Sequence, residues 1–188
     1  MFRRKSNLWL AILISAVGLS LACDGGQLDE ANKLVNEANA VITKNNELVP
    51  KVNALTNELF GEGMTKAEDL DKYKADNKAK FDELIKMNED LAKGREESAA
   101  KFEQVSKMKV DDKFKEYTSL KSQELKKGAE IDKAEVAFVK AFLAESDAEK
   151  ANELVADTNK KSAEMKKVAD ELRDKAEKIV KDNPTIFK

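Results

Sequence analysis

Few residue types in this 188-residue chain could carry chemistry, because it has no histidine and only one cysteine, Cys23. Haem ligation, histidine-based zinc or di-iron sites, and Ser-His or Cys-His nucleophiles need residues that are absent. Carboxylates are abundant, but no Asp-x-Asp-x-Asp-Gly calcium loop occurs, and Asp111 and Asp112 are typical of a helix start. The sequence therefore predicts a chain that is not an enzyme and holds no metal or cofactor.

The one cysteine lies at the end of an apolar segment. Basic residues occupy positions 3–5, an apolar run follows over residues 8–19, and the sequence Leu-Ser-Leu-Ala then leads to Cys23. A basic start, a short apolar run and a small residue before the cut are the three parts of a secretory signal. The run has about a dozen residues, fewer than the ~20 that a membrane-spanning helix needs. We therefore interpret residues 1–22 as a signal peptide.

This segment resembles the lipobox of bacterial lipoprotein precursors, although the usual leucine three places before the cysteine is Ser20 here. In that family the cysteine is acylated on its sulfur and becomes the new N-terminus. The resemblance implies cleavage between Ala22 and Cys23, acyl chains such as palmitate on Cys23, and attachment to a membrane of the bacterial cell envelope. It leaves open which membrane and which face, and it covers only the first 23 residues.

The composition of the remaining chain is that of solvated helices. The whole chain has 34 basic and 36 acidic residues, and removing the three basic residues of the leader leaves a net charge of −5. A mildly acidic, mixed surface opposes nucleic-acid binding. Charged residues make up 37% of the chain, whereas it has only 7 glycines and 2 prolines, which favours helices over disorder.

Four segments carry apolar residues at alternating three- and four-residue spacings, which is the heptad pattern of coiled coils. The first covers residues 27–60, where Pro50 predicts a kink and Gly61 predicts a left-handed C-terminal cap. The second covers residues 65–108 and starts with a capping box at 65–68. The third begins after Asp111, and the fourth ends near residue 181, before Asn183 and Pro184.

These segments predict an all-α fold, an elongated antiparallel bundle of four helices. A second capping box at residues 146–149 separates the last two helices; without a break near Ser146 they would fuse and three helices would remain. We expect a tether at residues 23–26, the bundle at 27–182 and a tail at 183–188, whose Ile186 and Phe187 fold back onto the bundle. Because heptads can also be satisfied between chains, self-association is an alternative.

Two polar residues fall on or beside the seam of the second helix, and each has two interpretations. Asn88 is expected to fix the register or lie at the seam's edge, with ligand binding as the alternative. Arg95 is expected to extend past the seam to solvent, with a buried anion as the alternative.

The run of residues 136–144 is the most apolar part of the chain after the leader. We expect it to form the thickest part of the core. The alternative is a partner-binding patch, and its residues would be Phe138, Val139, Phe142 and Leu143.

Acidic residues precede lysines by four positions along the predicted helices, an order that supports an isolated helix. The eight such pairs are Asp82–Lys86, Glu89–Lys93, Glu97–Lys101, Glu103–Lys107, Asp157–Lys161, Glu171–Lys175, Asp174–Lys178 and Glu177–Lys181.

Two classes of function fit these features. The favoured one is a lipid-anchored envelope lipoprotein whose non-catalytic helical bundle is a scaffold, a spacer or a module that binds another envelope protein. The alternative is a surface-exposed, adhesin-like lipoprotein that binds host macromolecules. A weaker variant is a lipoprotein joined to peptidoglycan through its C-terminal residue, Lys188, and a carboxylate-based metal binder is a distant third class.

Overall fold

The computed structural model describes residues 25–61, 64 and 69–187, without the side chains of the first two. The regular structure of these residues is entirely helical, which confirms the all-α prediction. Its five helices are α1 (Gly25–Phe60), α2 (Leu70–Asp76), α3 (Lys78–Ser106), α4 (Asp112–Ala144) and α5 (Ala148–Asp182). The predicted leader, Ala22, Cys23, the capping box at 65–68 and Lys188 lie outside the described residues.

The predicted second helix is two helices, so the described chain has five rather than four. Asn77 separates α2 from α3, and both its backbone N–H and its side-chain Nδ2 donate to the carbonyl of Tyr73, at 3.1 and 2.9 Å. A short amide side chain that bonds to nearby backbone competes with helix continuation. The backbone of Asn77 leaves the helical conformation, at φ −107° and ψ 11°, so α2 ends without the glycine or proline that would have marked the break.

The predicted break near Ser146 is confirmed, since residues 145–147 are not helical. The cap, however, is Asp147, whose Oδ1 accepts from the backbone N–H groups of Glu149 and Lys150 at 2.8 and 3.1 Å. Asp111 caps α4 in the same way, accepting from Lys113 and Phe114. The last two long helices are therefore separate.

The end of α1 at Phe60 agrees with the prediction, but Gly61 has another role than expected. It does not adopt the left-handed conformation; instead, a Cβ at this position would lie 2.3 Å from the carbonyl oxygen of Asn57. Gly61 also donates its N–H to that oxygen at 2.9 Å. The glycine thus permits a close backbone approach, while α1 continues through Pro50 without a break.

The long helices run antiparallel and pack in chain order, with α1 against α3, α3 against α4 and α4 against α5. The end of α1 packs with the start of α3 and the end of α4 in a loop-end core, which includes Phe60, Phe81, Phe138 and Phe142. The start of α1 packs with the end of α3 and the start of α4 in a tail-end core, which includes Ile42, Phe102, Phe114 and Leu125.

The C-terminal tail closes the tail-end core, as predicted. Ile186 and Phe187 pack against it, and the ring of Phe187 lies 5.2 Å from that of Tyr117 and 6.0 Å from that of Phe114. Burial raises the pKa of Tyr117 to about 12. The chain therefore ends beside the start of α1.

The aromatic cluster of the loop-end core should carry much of the stability. Phe138→Ala should reduce the free energy of unfolding by about 3–5 kcal/mol, because it removes a ring that packs 4.8 Å from Phe60. Ala151→Gly, in the same core, should cost less, about 1 kcal/mol from helix propensity and about 0.8 kcal/mol from the lost buried methyl group. Urea unfolding followed by circular dichroism measures both; equal losses would contradict this assignment.

Candidate functional site

A layer of polar side chains separates the two apolar cores. It contains Asn45 on α1, Arg95 on α3, Asp132 and Glu135 on α4, and Ser162 on α5, all of them buried. We call these five residues the polar layer. Buried polar groups are stable in a protein only when they are paired, so their partners decide what the layer does.

The centre of the polar layer is an ion pair between α3 and α4. The Nε atom of Arg95 lies 2.8 Å from Oδ2 of Asp132, and the two side chains are 11% and 2% exposed. A Cβ at Gly128, one helical turn before Asp132, would lie 2.4 Å from Nη1 of Arg95. The guanidinium can therefore pass over position 128 and reach Asp132, since a glycine at that position has no side chain to block it. The expectation that Arg95 extends to solvent was wrong.

Two carboxylates of the layer, those of Asp132 and Glu135, lie near each other on α4. Burial raises the pKa of Asp132 to about 7, and the neighbouring charge of Glu135 contributes in the same direction. Arg95 acts in the opposite direction, but it does not offset the burial. Asp132 consequently gains or loses its proton near neutral pH.

Glu135 extends the layer to the last helix. Its Oε1 accepts a hydrogen bond from Oγ of Ser162 at 3.1 Å. Ser162 is one of only four buried residues among the described side chains of α5. This hydrogen bond joins α4 to α5 within the polar layer.

The contact between α1 and α3 depends on small residues. Nδ2 of Asn45 donates to the carbonyl of Leu91 at 3.2 Å, and a Cβ at Gly94 would lie 2.4 Å from Oδ1 of Asn45. Oγ of Ser98 donates to the carbonyl of Ala38, also at 3.2 Å. Two side-chain-to-backbone bonds thus tie the helices where they lie closest.

Asn88, the other polar residue predicted on the seam, bonds within its own helix. It is buried, and its Nδ2 donates to the carbonyl of Leu84 at 2.9 Å. That bond links α3 to itself rather than to a neighbouring helix.

The short helix α2 crosses the loop end, which sequence reasoning missed. Nζ of Lys74 donates to the carbonyl of Glu145 and lies 4.9 Å above the ring centroid of Phe142. The hydroxyl of Tyr73 donates to the carbonyl of Leu59 at 2.7 Å, and burial raises its pKa. These two hydrogen bonds supply donors to backbone carbonyls at the ends of α1 and α4. Such carbonyls have no donor from a following helical turn.

The candidate partner patch lies under this helix. Phe138, Val139 and Phe142 are buried in the loop-end core, and Leu143 packs partly buried against it. Their position fits the interpretation of this run as core.

Most exposed ion pairs differ from those predicted. Only Glu103–Lys107, at 2.6 Å, is among the ion pairs of the described residues, and Lys126 of α4 joins it. These two ammonium groups lower the pKa of Glu103 to about 2. Other expected partners pair across helices, such as Lys101 with Glu37 and Glu89 with Lys140.

The part of the chain that the structure describes has no group of three or more aspartates, glutamates or cysteines placed to hold a metal ion. Nor is any helix of that part long and apolar enough to cross a membrane. Comparison with protein-family models, curated proteins and solved structures found no match to this chain.

Replacing Asp132 should change the pH dependence of stability. Because its pKa is about 7 when folded and near 3.8 when unfolded, unfolding releases a proton between these values, and stability falls as pH rises through this window. Asp132→Asn removes this contribution. The unfolding free energy of the wild type minus that of the variant should decrease by about 2.6 kcal/mol from pH 5 to pH 8.

Urea titrations at both pH values measure this difference. Asn88→Ala is the matched control, since it removes a buried polar group that does not titrate, and its difference from wild type should be constant. If the unfolding free energy of the wild type minus that of Asp132→Asn increased with pH, the attraction of Arg95 would have a larger effect on the pKa of Asp132 than burial has.

A double-mutant cycle tests the ion pair itself. Arg95→Met should cost about 3–5 kcal/mol at pH 8, because it leaves Asp132 buried without its counter-ion. Combining it with Asp132→Leu should recover most of that loss. The more exposed network around Arg173 gives the control, since Arg173→Met should cost no more than about 1 kcal/mol. Additive losses in the cycle would show that the pair is not coupled.

Proposed function

We propose that the chain is a lipid-anchored lipoprotein of the bacterial envelope, and that its elongated antiparallel bundle is a non-catalytic spacer or scaffold. The lipobox that ends in Cys23 carries the anchoring part of this proposal. Two or more acyl chains on that cysteine would hold the protein stably at a membrane.

The position of the first helix supports a spacer. Cys23 precedes Gly25, the first residue of α1, by two positions, so the anchor lies within about 7 Å of the helix start. The 36 residues of α1 extend about 54 Å at 1.5 Å per residue. The bundle would therefore stand on the membrane at its tail end and hold its loop end about 50 Å away.

The described surface also supports a spacer or scaffold. Among the large hydrophobic side chains of the described residues, only Val168 is largely accessible to solvent, at 44%. A permanent protein–protein interface usually has a larger apolar patch. A partner would thus contact charged helix faces, or reach apolar residues only after α2 moves.

The end of the chain bears on the peptidoglycan-linked variant. Phe187 packs in the tail-end core beside the start of α1. A link through Lys188 would then leave from the same end as the lipid, which gives attachment to a distant wall less support.

Lipidation is tested by Cys23→Ala. The variant should lose fatty-acid labelling and be released from membranes on extraction, whereas Ser20→Leu, which restores the usual family residue, should retain both. Mass spectrometry of the N-terminal peptide and detergent partitioning measure the outcome. Unchanged partitioning of Cys23→Ala would refute the anchor.

The adhesin-like alternative differs in exposure outside the cell. Protease added to whole cells should leave an envelope-internal scaffold intact and should cleave a surface-displayed protein. The loops at the loop end, such as residues 145–147, are then the expected sites of cleavage.

A further inference from the structure

A groove lies between the start of α4 and the end of α5. It has a volume of about 530 Å³, and Leu120 and Ile179 contribute its apolar lining. Lysines line it from both helices, namely Lys113, Lys175 and Lys178. An apolar lining with several cations favours a ligand that has an anionic group joined to an apolar part.

Two of these lysines have no acidic partner among the described residues. Arg173 draws the nearby carboxylates to itself, with Asp170 at 3.0 Å, Asp174 at 3.6 Å and Glu177 at 3.7 Å. The predicted Asp174–Lys178 pair therefore does not form. Lys175 and Lys178 are exposed, and neither has an ion pair with any described residue.

Lys113, in contrast, is already paired, with Oε2 of Glu116 at 2.8 Å. The cationic character of the groove thus comes from α5. Glu116 and Asp182 are the two acidic residues in the lining, and a ligand would meet Asp182 at the end of α5.

The groove lies at the same end of the bundle as the start of α1. Gln27 accepts a hydrogen bond from the backbone N–H of Lys109 in the α3–α4 connection, at 2.7 Å, and α4 begins three residues later. Lys175 is seven residues from the end of α5, a rise of about 10 Å. If the anchor is on Cys23, both lysines lie within about one Debye length of the membrane surface.

We propose that this groove binds the headgroup of an anionic phospholipid in the leaflet that holds the anchor, which rests on the proposed lipidation. Lys175 and Lys178 contact the phosphate, and Ile179, which lies nearer to the end of α5 than either lysine, contacts the glycerol. The groove thereby adds a second contact that orients the bundle on the membrane.

Hydrogen exchange of the processed, membrane-reconstituted protein tests this proposal. Peptides covering residues 113–123 and 175–183 should exchange more slowly in vesicles that contain phosphatidylglycerol than in vesicles of phosphatidylcholine alone. Lys175→Gln/Lys178→Gln should abolish the difference. The matched control is Lys150→Gln/Lys160→Gln, which removes two exposed lysines from the other half of α5 and should preserve it.

Titration with monomeric short-chain phosphatidylglycerol measures the affinity. The double variant should bind about 25-fold more weakly, from about fivefold per lysine. Equal exchange in both vesicle types, or an equal loss of affinity in the control, would overturn the proposal. Protection by inorganic phosphate as strong as that by the lipid would identify a free-anion site and would also overturn it.

The anchor is assessed separately on the same sample, by the mass of the Cys23 peptide. An unacylated Cys23 would refute the proposed anchoring, whereas the short-chain titration would still report on the groove. Failure of the two proposals is therefore distinguishable.

Discussion

The ion pair between Arg95 and Asp132 is the constraint on which the arrangement of the long helices depends. Burying two charges is costly, and the attraction of Arg95 offsets only part of that cost for Asp132. The contact between the two side chains needs Gly128 under the guanidinium, and Gly94 makes similar room for Asn45 at the neighbouring contact. A shift that separates Arg95 from Asp132 would leave both charges buried, so we interpret the polar layer as the device that fixes register.

The exposed charges pay little for desolvation, and many of them pair across helices instead of one turn apart on the same helix. A solvated ion pair contributes only about 0–1 kcal/mol, so packing and reach decide which partners meet. Lys101 crosses to Glu37 on α1, and Lys133 crosses to Glu96 on α3, rather than bonding one turn away. On α5, Arg173 brings together three carboxylates because its branched guanidinium has several donors. Spacing along one helix therefore indicates which residues share a face, but not which of them pair.

Local signals made much of the fold predictable. The ends of α1 and α5 and the starts of α4 and α5 follow from side chains within a few residues of each boundary, such as Asp111 and Asp147. The break at Asn77 was missed because asparagine is also tolerated within helices. The partners of the polar layer were missed for another reason: Arg95 and Asp132 are 37 positions apart in the printed sequence, and helical spacing carries no information about contacts between helices. Glycines 94 and 128 were a usable signal, since a glycine inside a helix costs about 1 kcal/mol and implies a close neighbour.

The number of long helices decides at which end of the bundle the chain terminates. The Asp147 cap affects this number, because it favours the break between α4 and α5. If residues 145–147 were helical, α4 and α5 would form one rod of about 70 residues, about 105 Å long. The chain would then end far from the start of α1. The Asp147 cap, with a typical worth of about 1 kcal/mol, favours the break, and Lys74 supports it by bonding the carbonyl of Glu145 in that connection. With the break in place, the start of α1 and the tail meet at one end. Among the residues that the structure describes, the other end then holds connections between helices, together with α2. A partner that approaches an anchored bundle from beyond the membrane would meet these connections first.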